Sequence, residues 1–223
     1  MPGSARRMIA ALAAVLVATL GLPLAATAAE DSAEPSVLRV GVPNDLTSAN
    51  PLSLRSGSDW NVATTQYDMM WMFGNDDLSA QPGLAEGCES NEDKTEWTCT
   101  FRDDVLWSDG KPMTSRDVAF TYELVIDQGI STYNGYFTPT TTFETPDDTT
   151  LIWRSDTPTN APLTPPWIYI LPEHVWEQYA DVDKAELRGV ENIPSVTTGP
   201  YTLTEVNRGQ NWTLTKNPNY WGD

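Results

Sequence analysis

The stretch "DVLWSDGKPMTSRDVAFTYELVIDQG", Asp104 to Gly129, carries three local signals in succession. Apolar Val105, Leu106 and Trp107 lead into Asp109-Gly110, a tight-turn pair, and Pro112 follows. Thr114 is placed to cap a helix, with Asp117 three residues on to complete a capping box. Val118, Tyr122 and Val125 then recur on one helical face, and Gly129 closes the helix. Strand, turn and capped helix agree, so the chain reads as mixed α and β, an α/β protein.

Upstream, Cys88 and Cys99 lie symmetrically about Asp93-Lys94, so a hairpin turning there sets them opposite each other. Trp97, Cys99 and Phe101 alternate with Thr98 and Thr100, as in a half-buried strand. A cross-strand disulfide is the expectation, and two free buried thiols the alternative. Val62, Tyr67, Met70 and Trp71 recur at roughly helical spacing and predict a helix over 60–73. Before it, "VLRVGVP", Val37 to Pro43, is a strand candidate that runs into the turn-rich "NDLTSANPLSLRSGSD".

The N-terminus has the makings of an export signal. Arg6 and Arg7 precede the apolar run Met8–Leu22, Pro23 breaks it, and Ala26-Thr27-Ala28 offers small residues for cleavage, so 1–28 reads as a removed signal peptide. The alternative is an uncleaved anchor, for which the run falls short of the roughly 20 residues a membrane-spanning helix needs. No Cys stands near that site to accept a lipid tether. The expected location is periplasmic or otherwise outside the cytoplasm.

Downstream, "TFETPDDTTLIWRS" predicts two strands around Pro146-Asp147-Asp148. "LPEHVWEQYAD" predicts a helix with Pro172 near its first turn, where a missing N–H costs nothing. In the last segment Tyr201, Leu203 and Glu205 alternate along one strand, Trp212 and Leu214 along the next, and Asn207–Gln210 makes the turn. Tyr220 and Trp221, close to the last residue, are large rings with no evident packing partner.

The composition excludes several chemistries. The formal net charge is −18, and losing two of the 13 basic residues with the signal, but none of the 31 acidic ones, leaves it near −20. Such a chain repels phosphate backbones, so no nucleic-acid partner is expected. His174 is the only histidine, which rules out clustered-histidine metal sites, and it reads as a packing or capping residue. There is no Gly-x-Ser-x-Gly elbow, phosphate-cradling loop or dinucleotide fingerprint, and neither a metal nor a cofactor is expected. The many carboxylates leave a glycosidase-like acid/base pair open, although Asp76-Asp77 and Asp147-Asp148 read as solvated turn charges. The excess lies in nine Trp and eight Tyr. Trp60, Tyr133 and Tyr136 fall in loop contexts, where aromatics can stack on a ligand.

Taken together, "QPGLAEGCES", "TCTFRDDVLWSDGKPMTSRDVAFTYE", "ILPEHVWE" and "TTGPYTLTEVNRGQNWTLTKNPNYWGD" resemble, in order and spacing, the bacterial family 5 extracellular solute-binding proteins, the peptide, nickel and oligosaccharide receptors of ABC importers. The resemblance implies a periplasmic-binding-protein-like fold. The first lobe would comprise 29–70 and 192–223 and form the main sheet, with 71–191 as its extra subdomain. The second lobe is missing, so the chain reads as a fragment and Tyr220 and Trp221 as rings cut off from their surroundings.

The resemblance further implies a monomeric, non-catalytic receptor that passes an oligopeptide, or alternatively an oligosaccharide, to a membrane permease. The loop Arg55, Ser56, Gly57 and Ser58 corresponds to a ligand-facing loop in peptide receptors, and Ser131-Thr132-Tyr133 matches their Ser-x-Tyr, which makes Tyr133 a contact. Trp60 and Tyr136 join by proximity. The reading from another class is a secreted carbohydrate-active enzyme built on a carboxylate pair.

Overall fold

The computed structural model describes residues 36–74, 76–77, 79–130, 132–133, 135–164 and 167–222. In chain order its elements are α1 (Gly57–Gln66), β1 (Trp71–Phe73), β2 (Ala80–Pro82), β3 (Ala85–Ser90), β4 (Glu96–Phe101), α2 (Ser115–Asp127), β5 (Thr142–Asp147), β6 (Thr150–Arg154), α3 (Glu173–Trp176), α4 (Lys184–Gly189), β7 (Tyr201–Asn207) and β8 (Asn211–Lys216). Single 3-10 turns lie at Ala161–Leu163 and Glu177–Tyr179. All strand pairs are antiparallel: β1 with β2, β7 with β8, and a four-stranded sheet in the order β3-β4-β6-β5.

The segment 104–129 folds as its residues dictate. Gly110, at φ +87°, completes a three-residue loop in which its N–H donates to the Trp107 carbonyl and the Trp107 N–H to that of Lys111. The Thr114 N–H donates to Asp117 Oδ2 at 2.8 Å, which starts α2. At the other end Gly129 takes φ +54°, its N–H reaches the Ile126 carbonyl, and the Ile130 N–H reaches that of Val125. These two bonds satisfy helix carbonyls that would otherwise lack donors, and they end α2 at the predicted glycine. Asp117 does more than cap α2. Its Oδ1 accepts the Glu173 N–H at 2.8 Å, which begins α3, and its Oδ2 also accepts the Trp107 indole N–H at 3.3 Å.

Cys88 and Cys99 are directly opposed in the β3–β4 ladder and disulfide-bonded, with Cα atoms 4.0 Å apart. Along β4, Trp97, Cys99 and Phe101 are buried and Thr98 and Thr100 exposed, the alternation expected of a strand with one covered face. Trp97 is in register with Trp153 of β6, which is itself in register with Phe143 of β5. Tyr122 of α2 packs against Trp153, Phe143 and Phe137 at ring separations of 5.3–5.7 Å. The main core thus lies between α2 and the four-stranded sheet, and it extends to Tyr67, Met70 and Trp107. A smaller cluster of Leu46, Val62 and Leu203 holds α1 against the β7–β8 hairpin. At that junction Gly199 donates its N–H to the Gln66 carbonyl at 2.7 Å, and a Cβ at position 199 would stand 2.6 Å from the same oxygen.

Several expectations need correction. Residues 37–43 carry no strand; among the described residues no ladder partner takes up their backbone groups, and a strand cannot stand alone. Within 29–70 the described elements are α1 alone, and within 192–223 the β7–β8 hairpin. The helix predicted over 60–73 begins earlier and ends earlier. Ser56 caps it through the Asp59 N–H at 3.1 Å, and after Gln66 the chain extends, so that Trp71 enters β1. The segment after Pro172 is one short α-helical turn followed by a 3-10 turn. Of the two roles expected for His174 it takes packing, edge-on against Trp107 at 6.5 Å, and it also pairs with Asp109 Oδ2 at 2.8 Å.

Trp221 does find partners. Its indole N–H donates to the partly buried Asp68 Oδ2 at 2.9 Å, and the Arg102 guanidinium lies 4.5 Å from the centre of its ring system. Asn219 extends the attachment by donating to the Trp107 and Ser108 carbonyls.

The chain divides into two units. Of the first, Met1–Val40, only 36–40 are described, and these are exposed and irregular; the second runs from Gly41 onward. The proposed signal peptide, 1–28, lies outside the described residues. Among those described, no helix is long and apolar enough to cross a membrane.

Candidate functional site

Two short segments follow from the way their neighbours fold, and between them they supply most of a cleft. Trp60 sits in the first turns of α1, whose start is fixed by Asp59 rather than by helix propensity. The Asp59 carboxylate accepts from the Thr47, Ser48, Arg55 and Ser56 N–H groups and from the Thr47 hydroxyl, at 2.6–3.1 Å. Burial alone pushes its pKa up, but the hydrogen bonds outweigh burial and bring it down to about 2. Beyond α2, consecutive turns carry Tyr133 and Tyr136: the Tyr133 N–H donates to the Ile130 carbonyl and the Tyr136 N–H to that of Tyr133.

Trp60, Tyr133 and Tyr136 line one cleft of about 500 Å³ together with Trp167. Asn61, Thr64 and Thr132 complete the lining. Trp60 and Trp167 meet edge to face at 6.3 Å, and Phe73 stacks on Trp167 at 4.3 Å. Thr64 is held between the Trp60 carbonyl, to which its hydroxyl donates at 2.8 Å, and the Tyr169 hydroxyl at 2.7 Å. Burial pushes the Tyr133 phenol far up, so it stays neutral and able to donate. Among the described residues, none that lines the cleft is charged. Such a cleft takes apolar or neutral groups, with an amide and several hydroxyls available to hydrogen-bond them.

The loop Arg55–Ser58 lies outside this lining. Ser56 is the cap of α1, the Ser58 hydroxyl donates to the Asn44 carbonyl at 2.9 Å, Gly57 is the first helical residue, and the Arg55 backbone serves Asp59. Trp167 was not singled out by the sequence. Its one signal was a large ring directly after the Pro165-Pro166 pair, a context in which burial is hard to achieve, and it is 46% exposed. Cys88 and Cys99 belong to the sheet and not to the cleft. Among the described residues no group of three or more histidine, cysteine or acidic side chains could hold a metal ion.

The family model described as "Bacterial extracellular solute-binding proteins, family 5 Middle" matches residues 79–223, well over half of the chain. The chain belongs to this family. Tyr133, Tyr136 and Trp167 fall inside the matched stretch, and Trp60 lies before it. Among curated family 5 relatives, the probable peptide-binding protein YejA of Agrobacterium fabrum is 29% identical over 194 residues, covering 83% of this chain and 30% of that protein.

Two solved structures share the fold. The ABC transporter substrate-binding protein CtaP of Listeria monocytogenes superposes with a TM-score of 0.69 at 22% identity, over 81% of this chain and 36% of that one. MoaA of A. tumefaciens R10, in complex with mannopinic acid, gives a TM-score of 0.67 at 24% identity, over 79% and 36%. The periplasmic-binding-protein-like fold is therefore established for this chain, which spans about a third of the length of the family 5 proteins it matches.

Proposed function

We propose that this chain forms one face of the capture site of an extracytoplasmic receptor that passes oligopeptides to an ABC importer permease. The observation that carries the reading is the uncharged cleft of Trp60, Tyr133, Tyr136 and Trp167. Its rings offer apolar faces to side chains, while the Asn61 amide and the neighbouring hydroxyls can serve the N–H and C=O groups of a peptide backbone. The likeness to a probable peptide-binding relative supports the same ligand class. In a two-lobed receptor, closure over the ligand supplies the rest of the affinity, because contacts made only in the closed state shift the equilibrium toward it. The cleft on this chain is open to solvent, so the chain by itself binds weakly.

Weak binding is readable by NMR. Each of the nine tryptophans contributes an indole N–H signal to the spectrum of the 15N-labelled chain. Addition of neutral oligopeptides should shift the Trp60 and Trp167 signals, and cellooligosaccharides should leave them in place. Shifts with sugars alone would replace the peptide reading with the oligosaccharide one. Release of reducing ends from glycan substrates above a blank would instead support the carbohydrate-active enzyme.

A further inference from the structure

A second cavity, of about 530 Å³, opens beside β1 and β2 and is lined by Met72, Phe73, Gly74 and Gln81, with Asp76 and Asp77 at its acidic side. Phe73 lines this cavity, Trp167 lines the aromatic cleft, and the two rings are stacked 24° from parallel at 4.3 Å. Among the described residues this stacked pair of rings stands between the two cavities. It is not a covered wall: Trp167 is 46% exposed, a large ring left open to solvent. From Phe73 through Trp167 to Trp60 the ring centres span at most about 11 Å, the reach of three to four extended residues at ~3.3 Å each.

We propose that the two cavities are halves of one groove and that Trp167 is the saddle an extended peptide crosses, which makes Trp167 a specificity-determining residue for ligand length. This rests on the peptide reading given above and commits it to peptides of four residues or more over dipeptides. The far half carries Asp76 and Asp77, so the group lodged there is neutral or cationic, whereas the near half is uncharged.

The test compares dialanine with tetraalanine on the 15N-labelled full chain, reading dissociation constants from the indole shifts. Tetraalanine should bind at least tenfold more tightly. In Trp167→Ala the ratio of the two constants should fall to about one, because the saddle is gone. Trp167 is half exposed, so its loss leaves the core intact. Gln81→Trp, which fills the far half from an exposed strand position while keeping Trp167, should collapse the ratio in the same way. A tetrapeptide with Lys at one end should bind more tightly than its Glu counterpart, and added salt should shrink the difference. Equal affinities for dialanine and tetraalanine in the unaltered chain, or a ratio untouched by Gln81→Trp, would overturn the groove while leaving the peptide reading standing. If no peptide moves any indole signal, the peptide reading falls, and the groove falls with it.

Discussion

At the scale of single residues, buried and partly buried carboxylates organise this chain, and each does so with a sign that can be measured. Asp59 is almost wholly buried and held at a pKa of about 2 by the amides and hydroxyl around it. Its folded pKa lies below the unfolded one, so its contribution is present above about pH 4 and is lost as pH falls through the folded value, about 2 kcal/mol in all. The stability gap between the unaltered chain and Asp59→Asn, from urea melts, should shrink by about that amount between pH 7 and pH 2. Asp68 and Asp117 carry the opposite sign: burial holds both carboxyls up, and acid relieves them. Asp68 retains the Trp221 indole as a donor. Trp221→Phe strips that donor from a partly buried carboxyl and should cost about 1 kcal/mol. A double-mutant cycle with Asp68→Asn should show coupling between the two positions, and strict additivity would refute the pairing.

At the scale of elements, legibility followed the length of the loops that had to close. Strand, turn and helix over 104–129 could be read because Gly110, Thr114, Asp117 and Gly129 act within a few residues of their targets. The cross-strand cysteines could be read because their hairpin is symmetric. Under non-reducing conditions the unfolded chain should show no free thiol, and replacing both cysteines by serine should lower stability by about 3 kcal/mol from loop entropy alone. Elements set by distant partners stayed hidden. Nothing in the spacing of Val62, Tyr67 and Met70 reveals that α1 is started by a carboxylate gripping Thr47 and Ser48, or that its end meets the backbone of Gly199. The site divides along the same line. Trp60, Tyr133 and Tyr136 stood out as rings in loops, whereas Trp167 joins them only through a fold that brings the segment after Leu163 beside β1 and α1.

At the scale of the whole molecule, the acidic surface acts as a diffuse load. With a net charge of −18 and ion pairs that are exposed, such as Arg154 between Glu96 and Glu144, self-repulsion is screened by salt more than the pairs are weakened by it. Raising sodium chloride from low to about 0.5 M should lift the melting temperature by roughly 2–5 °C, an effect of about 1 kcal/mol. A fall would mean that the ion pairs matter more than their exposure implies. The single carboxylate of Asp117 has a wider reach than any of these. Two helices, distant in sequence, take their first hydrogen bonds from it, and an indole ring leans on it as well. Asp117→Ala would therefore take a shared acceptor from the front ends of both helices in a single stroke, and from the Trp107 indole with them.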